Sequence, residues 1–423
     1  MPPLPLSRRR ARPAQILLRA LLVALAAPHR VLAQDAPPPA GEAVPGFARC
    51  LTDLAAEATG RGVPEATVSA LLGDLAPDPE VLAAAGHQSE FEKPLWDYLD
   101  AAVKDETVAD GRAKLAAWEP VLARIEARYG VDRFVLLAIW GIESGYGAVL
   151  DKPGKVRPVL RSLATLACAD PARAASWRDE LAAALRIAAQ GDAPVADLTG
   201  SWAGAMGHTQ FMPTTYLRYA VDFDGDGRRD IWHSPADALA ATAHYLSAEG
   251  WPAGAPWGYE VALPPGFAYA LADETTERPL ESWERLGLRR ADGQPFAATG
   301  VPARLVLPAG ARGPAFLLLP GFRAITRYNA SFAYALAVSH LSDRLRGEGP
   351  LVGAWPRGDR PLSRDERRDL QVRLEARGHP AGGVDGRIGP KTRAAIRAFQ
   401  AAAGLVPDGY ADAALLDRLR ETR

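Results

Sequence analysis

The chain has 423 residues, 48% hydrophobic and 23% charged, which is ordinary for folded protein and long enough for two or three domains. Forty-nine Lys and Arg against 50 Asp and Glu leave a net charge of -1, which argues against a globally basic nucleic-acid binder. Two cysteines exclude a disulfide-rich scaffold, a paired-CxxC zinc site and a four-cysteine iron–sulfur site.

The N-terminus reads as an export signal, residues 1–33. Arg8, Arg9, Arg10 and Arg12 make a basic start, residues 16–27 are apolar except for Arg19, and Val31-Leu32-Ala33 offers cleavage before Gln34. The apolar stretch is too short and interrupted for a spanning helix, which needs about 20 residues. Residues 34–46, rich in Pro, Ala and Gly, read as a linker. In an oxidising compartment Cys50 and Cys168 either pair or stay buried as two free thiols, and the sequence leaves both open.

Helical patterns follow at residues 47–59, 68–75, 108–118, 120–129 and 174–190. Pro120 is expected to start a helix rather than sit inside one. Residues 134–142, FVLLAIWGI, read as a buried helix ending at Glu143, and Ser144-Gly145-Tyr146-Gly147 stops it. One carboxyl therefore sits at the end of a dry helix beside a glycine-rich turn. Desolvation raises a carboxyl pKa, which suits a general acid near neutral pH. A helix-terminal Glu paired with an Arg is the bland alternative.

Residues 201–216, SWAGAMGHTQFMPTTY, are rich in small residues, which permit close backbone approach to a ligand. Ser201, Gln210 and Tyr216 place polar groups among them. Asp222, Asp224, Asp226, Arg228 and Asp230 then fall on positions 1, 3, 5, 7 and 9 of an EF-hand-like loop, with Gly227 at position 6 and Arg228 ligating through its carbonyl. Position 12 is His233 instead of the usual Glu. Asp237 is placed to cap a helix starting near Ala238. The loop either holds a structural calcium or sodium ion or closes as a metal-free Asx-turn hairpin.

Residues 346–362 read as a second linker. After it come Leu370, Leu374 and Gly378, the run Asp385-Gly386-Arg387-Ile388-Gly389-Pro390-Lys391-Thr392, and helices at 393–402 and 412–419. This is a compact three-helix pattern, with Ile396 and Phe399 read as core. No GxxxxGK[ST], strand-linked GxGxxG or HExxH motif occurs.

Residues 363–423 resemble the small peptidoglycan-binding domain of many cell-wall enzymes, through Leu370, Leu374, Gly378, Asp385-Gly-x-x-Gly-Pro-x-Thr, Ile396 and Phe399-Gln400. IESGYG (142–147), SWAGAMGHTQFMPTTY (201–216) and ITRYNASFAYALAV (325–338), in that order, resemble the B-type lytic murein transglycosylases over residues 47–345. The resemblance implies a mainly α fold: a lysozyme-like helical catalytic domain with an EF-hand-like loop, plus a C-terminal three-helix peptidoglycan-binding domain. It puts the single catalytic glutamate on Glu143, acting as acid and then base at the MurNAc–GlcNAc β-1,4 bond. The product it implies is a 1,6-anhydroMurNAc end, formed without water through an oxazolinium. Ser201, Gln210, Tyr328, Asn329 and Tyr334 match its cleft positions. Tyr334 has core packing as its alternative, and Tyr146 either stacks on a sugar or packs locally. The implied setting is a periplasmic monomer acting on peptidoglycan glycan strands. The family's loop has a late acid after its tryptophan, which Asp237 would supply one residue further on. No cofactor is required, a calcium or sodium ion there being structural, and cell-wall synthesis or division proteins are further candidate partners. The rival readings are a lysozyme-type hydrolase using Glu143, a non-catalytic wall-binding scaffold, and a calcium-regulated binding protein.

Overall fold

The computed structural model describes residues 44, 46–86, 94–152, 154–297 and 300–421. The predicted export signal and nearly all of the linker after it lie outside the described residues.

The apolar run forms the axis of the helical part, as the helix Arg133–Ser144. Val135 to Gly141, Glu143 and Ser144 are all buried, and a helix apolar all round belongs in an interior. Helices Asp105–Tyr129, Pro235–Ala248 and Phe332–Arg346 enclose it. Asp132 caps its start by accepting from the Phe134 amide at 2.8 Å. Gly145 ends it at φ 57°, a conformation open to glycine without steric cost.

The helices expected at 47–59 and 174–190 are Phe47–Gly60 and Ala174–Gln190, and the one expected at 68–75 is shifted earlier, to Glu65–Leu72. Pro120 departs from expectation. It lies inside one helix of 25 residues, Asp105–Tyr129. Proline removes the hydrogen bond to the carbonyl four residues back, here Ala116, which is exposed and open to water. Buried Val108 and Gly111 before the proline, and Leu122 and Ile125 after it, press both halves onto the same core.

The helical reading missed a five-stranded antiparallel sheet, in the order Arg278–Pro279, Pro302–Val306, Ala315–Leu318, Gly258–Ala262, Arg289–Arg290. Its longest strands have 5 residues, too few to set a period-2 pattern apart from loop. It has its own core around Tyr259, Phe267, Trp283, Leu305 and Leu317. The C-terminal unit is three helices, Arg364–Ala376, Pro390–Ala402 and Ala413–Glu421. Ile396 and Phe399 are core there, beside Leu370, Leu374 and Leu416.

The stretch 346–362, expected as a linker, is packed along the protein. Trp355 sits 6.1 Å from Trp96 and 6.4 Å from Phe316, between centroids. Glu260 accepts from the amides of Val352 and Gly353 at 2.8 and 2.7 Å. The C-terminal unit adds contacts with the sheet region. Asp408 accepts from the Ala311 amide at 2.8 Å, and Arg397 donates to the Ala272 carbonyl at 3.2 Å. Arg312 pairs with both Asp359 and Asp412.

Cys50 and Cys168 form a disulfide across 118 residues, tying Phe47–Gly60 to Val159–Ala169. Closing so long a loop restricts the unfolded chain, and its removal is expected to cost about 2–5 kcal/mol. Urea unfolding of Cys50→Ser/Cys168→Ser should show that loss, and reductant should lower the wild-type midpoint to match. Coincident curves would mean the bond adds no stability.

Candidate active site

Glu143 is 4% exposed at the end of its helix. Burial lifts its carboxyl pKa to about 8, and Tyr334 acts in the opposite direction. The Tyr334 hydroxyl is itself buried and meets no partner at full hydrogen-bonding geometry, so this opposing contact is weak. No other charged group among the described residues shifts the carboxyl. The bland alternative of an Arg-paired Glu does not describe it.

The turn after Glu143 is strained. Gly145, Tyr146 and Gly147 have φ of 57°, 58° and 89°, a region costly for residues with a Cβ. Tyr146 is held there by donating to the Thr107 carbonyl at 3.0 Å. A Cβ on Gly111 or Gly141 would come within 2.3 or 2.6 Å of its phenol. Tyr146 is 5% exposed, so it packs locally and offers no face to a sugar.

The small-residue segment folds back against this turn. Met206 bridges to Gly200 and Phe211. Ser201 is buried, and its Oγ accepts from the amides of Ala203 and Ala205 at 3.3 and 3.1 Å. Gly207 lies so close to the next loop that a Cβ would stand 2.3 Å from the Ile231 carbonyl oxygen. Gln210 is half-buried at φ 54°, its Nε2 donating to Gly207 O at 2.9 Å. Tyr216 is core, donating to Arg229 O at 2.7 Å.

The third segment breaks between helices Pro320–Tyr328 and Phe332–Arg346. Tyr328 is buried and donates to the Thr209 carbonyl. Asn329 Oδ1 accepts from the Ser331 amide at 3.0 Å, while its Nδ2 is buried with no partner. Tyr328 and Tyr334 both lie close enough to Glu143 for its charge to push up their hydroxyl pKa values, after burial. Glu143, Tyr328 and Tyr334 therefore converge, with Asn329 and Gln210 on the adjoining backbone. Sequence reading missed Tyr245, which packs edge-on against Tyr328 at 5.2 Å and 82°. It also missed Tyr98, whose hydroxyl lies near enough to Tyr334 to add to the upward push on that hydroxyl's pKa, after burial, Glu143 and Tyr328. Tyr98 lies two residues after Trp96 and Tyr245 directly after His244 in their helices, a pattern that core residues share.

In the acidic loop, Asp222, Asp224 and Asp237 bring ligand oxygens within 4.8 Å of one another. Asp226 and Asp230 stand outside this group. Asp226 accepts from the Arg228 amide at 2.8 Å. Asp230 accepts from the amides of Trp232 and His233 at 2.9 Å each and faces His233 Nδ1 at 3.1 Å. Asp237 does not cap the following helix, because Ser234 does. Fully buried, it instead accepts from the amides of Phe223, Asp224 and Asp230 at 2.8, 3.3 and 2.9 Å.

The family described as Transglycosylase SLT domain matches residues 46–343, and a peptidoglycan binding domain family matches residues 363–419. The chain belongs to the transglycosylase SLT family. Membrane-bound lytic murein transglycosylase B of Escherichia coli is 33% identical over 287 residues, 65% of this chain and 73% of that protein. SltB3 from Pseudomonas aeruginosa, solved with NAG-anhNAM-pentapeptide, is 50% identical with a TM-score of 0.83, covering 88% of this chain and 99% of its own. The Escherichia coli lytic transglycosylase SLT35, solved in complex with calcium, is 29% identical with a TM-score of 0.59, covering 72% of this chain and 93% of its own.

A buried carboxyl in this transglycosylase carries a stability signature. Below the unfolded pKa, about 4.3, Glu143 is protonated in both states. As pH rises towards about 8, the unfolded chain ionises while the folded one keeps its proton, so folding weakens. Glu143→Gln should therefore match the wild type in urea melts near pH 4 and exceed it near pH 8 by on the order of a few kcal/mol. Parallel stability profiles would contradict the raised pKa.

Proposed function

We propose that this lytic transglycosylase cuts the β-1,4 bond between MurNAc and GlcNAc in peptidoglycan, with Glu143 as its acid and base. The observation that carries the reading is a lone carboxyl, kept protonated to about pH 8 by burial, with no second acid acting on it among the described residues. Glycosidases that work with two carboxylates need the second as nucleophile or as base for water. A muramyl sugar supplies its own nucleophile, the 6-hydroxyl.

The steps balance on one proton. Glu143 donates it to the glycosidic oxygen, and the GlcNAc 4-hydroxyl leaves. The acetamido oxygen of MurNAc closes on C1 as an oxazolinium. The Glu143 carboxylate then takes the 6-hydroxyl proton as O6 attacks C1, giving the 1,6-anhydro ring and restoring the acid. The relative SltB3 was solved with NAG-NAM-pentapeptide and with NAG-anhNAM-pentapeptide, and the second ligand carries the anhydro sugar that this reaction forms.

The free buried Nδ2 of Asn329 is assigned to a sugar oxygen at the reacting residue. Tyr328 and Tyr334 keep the pocket dry and polarise it. Ser201 and Gln210 shape its wall. Asp222, Asp224 and Asp237 form an all-oxygen set suited to a hard cation, a structural calcium or sodium ion in the loop. The basic and apolar N-terminal segment exports the chain to the periplasm, and the C-terminal unit holds peptidoglycan there.

Mature protein incubated with purified peptidoglycan should release anhydromuropeptides detectable by mass spectrometry. Glu143→Gln should lower that rate by about 10²–10⁴-fold. Wild-type activity should fall as pH passes about 8, where the acid loses its proton. Reducing MurNAc ends carrying ¹⁸O from labelled water would replace this reading with hydrolysis. For the loop, calcium should raise the wild-type Tm and leave Asp222→Asn unmoved; equal shifts in both would place the ion elsewhere.

A further inference from the structure

His208 lies in the small-residue segment and has no part in the chemistry proposed above. Its Nδ1 accepts from the indole Nε1 of Trp140 at 3.0 Å, which requires a neutral ring with its proton on Nε2. The ring stands edge-on to Trp140 at 5.5 Å and 84°. It fills the space left by the absent side chain of Gly147, where a Cβ would come 2.6 Å from Cε1 and 2.8 Å from Nδ1. The His208 carbonyl accepts from Ser144 Oγ at 2.7 Å, and that same Oγ accepts from the Gly147 amide at 3.0 Å. The His208 amide donates to Ile231 O at 2.9 Å.

Every partner but Ile231 belongs to the Glu143 helix or the turn after it. Trp140 is one helical turn before Glu143, on the same face. Ser144 comes just before the three residues with left-handed φ, and Gly147 is the last of them. Trp140 also meets Tyr146 edge-on at 5.9 Å and 81°. Tyr146 and His208 thus both pack on one indole, beside the strained backbone that leads away from the carboxyl.

We propose that His208 is a positioning residue, whose Nδ1 acceptor and seat against Gly147 hold the turn that keeps Glu143 in its dry pocket. The inference rests on Glu143 being the reacting acid. Small displacements of a reacting group cost large factors in rate. Loosening the turn also admits water to the carboxyl and removes the desolvation that retains its proton.

The test compares His208→Leu, which removes the acceptor, with His208→Asn, whose Oδ1 can stand near the Nδ1 position. Both are measured on soluble uncrosslinked glycan strands, per folded enzyme by near-UV circular dichroism. His208→Leu should lower kcat about tenfold or more with KM within about twofold, and His208→Asn should recover most of it. Trp140→Phe added to His208→Leu should cost little further, because the bond is already gone. A ¹³C titration of the Glu143 carboxyl should show its pKa lower in His208→Leu than in wild type, a readout independent of turnover. Hydrolytic or absent turnover by the wild type would sink the proposed reaction, while the carboxyl titration would still decide the role of His208. Equal losses in the Leu and Asn variants, a change confined to KM, or an unmoved Glu143 titration would overturn the role. If His208→Leu does not fold, Gly147→Ala, which displaces the ring, replaces it under the same criteria.

Discussion

A carboxyl group that must keep its proton near neutral pH has to be kept from water, and here that demand falls on one helix. Arg133–Ser144 is buried along almost its whole length, so three other helices must wrap it. The chain must then turn away at once from a carboxyl it has just buried. That turn takes two glycines and a tyrosine in the left-handed region. The tyrosine tolerates it because Gly111 and Gly141 leave room for its ring. Each device follows from the one before it.

The same demand shapes the pocket wall. Close approach of the small-residue segment excludes water, and Gly207 permits it, since a Cβ there would strike the Ile231 backbone. Of the three non-glycine residues with positive φ among the described residues, Tyr146 follows Glu143 by three residues and Gln210 follows Thr209, whose carbonyl accepts from Tyr328. Strain concentrated at a site is sustained where surrounding structure over-determines it. The Nδ2 of Asn329, buried without a partner among the described residues, belongs with it. Buried donors are ordinarily satisfied, and this is the donor assigned above to a sugar oxygen.

The C-terminal unit is attached by more than a tether. Trp355, Glu260, Arg312, Asp408 and Arg397 join it and its approach segment to the sheet and the helical part. The sheet missed from the sequence thus supplies the platform on which that unit rests. Composition read residues 346–362 as a linker because Pro and Gly abound there. Proline and glycine mark irregular backbone, and irregular backbone can pack as firmly as a helix when an aromatic pins it.

Patterns local in the chain were legible in the sequence. Burial of Glu143 followed from nine apolar residues in a row, and the helix stop from Ser144-Gly145. Tyr328, Asn329 and Tyr334 were proposed as site residues from motif resemblance, and the C-terminal core was read from helical spacing. What depends on distant partners was not legible. Pro120 stays helical because both flanking halves meet one core, which no local rule encodes. Asp222 and Asp224 gather with Asp237 while Asp226 and Asp230 stay outside that group, although all five accept from nearby amides, a placement made by backbone geometry. The pairing of Cys50 with Cys168, the docking of Tyr245 on Tyr328 and the seat of His208 against Gly147 likewise needed the fold. Local sequence sets which residues are dry and where the helix must stop; only tertiary packing brings together side chains far apart in the chain, because their proximity depends on every element between them.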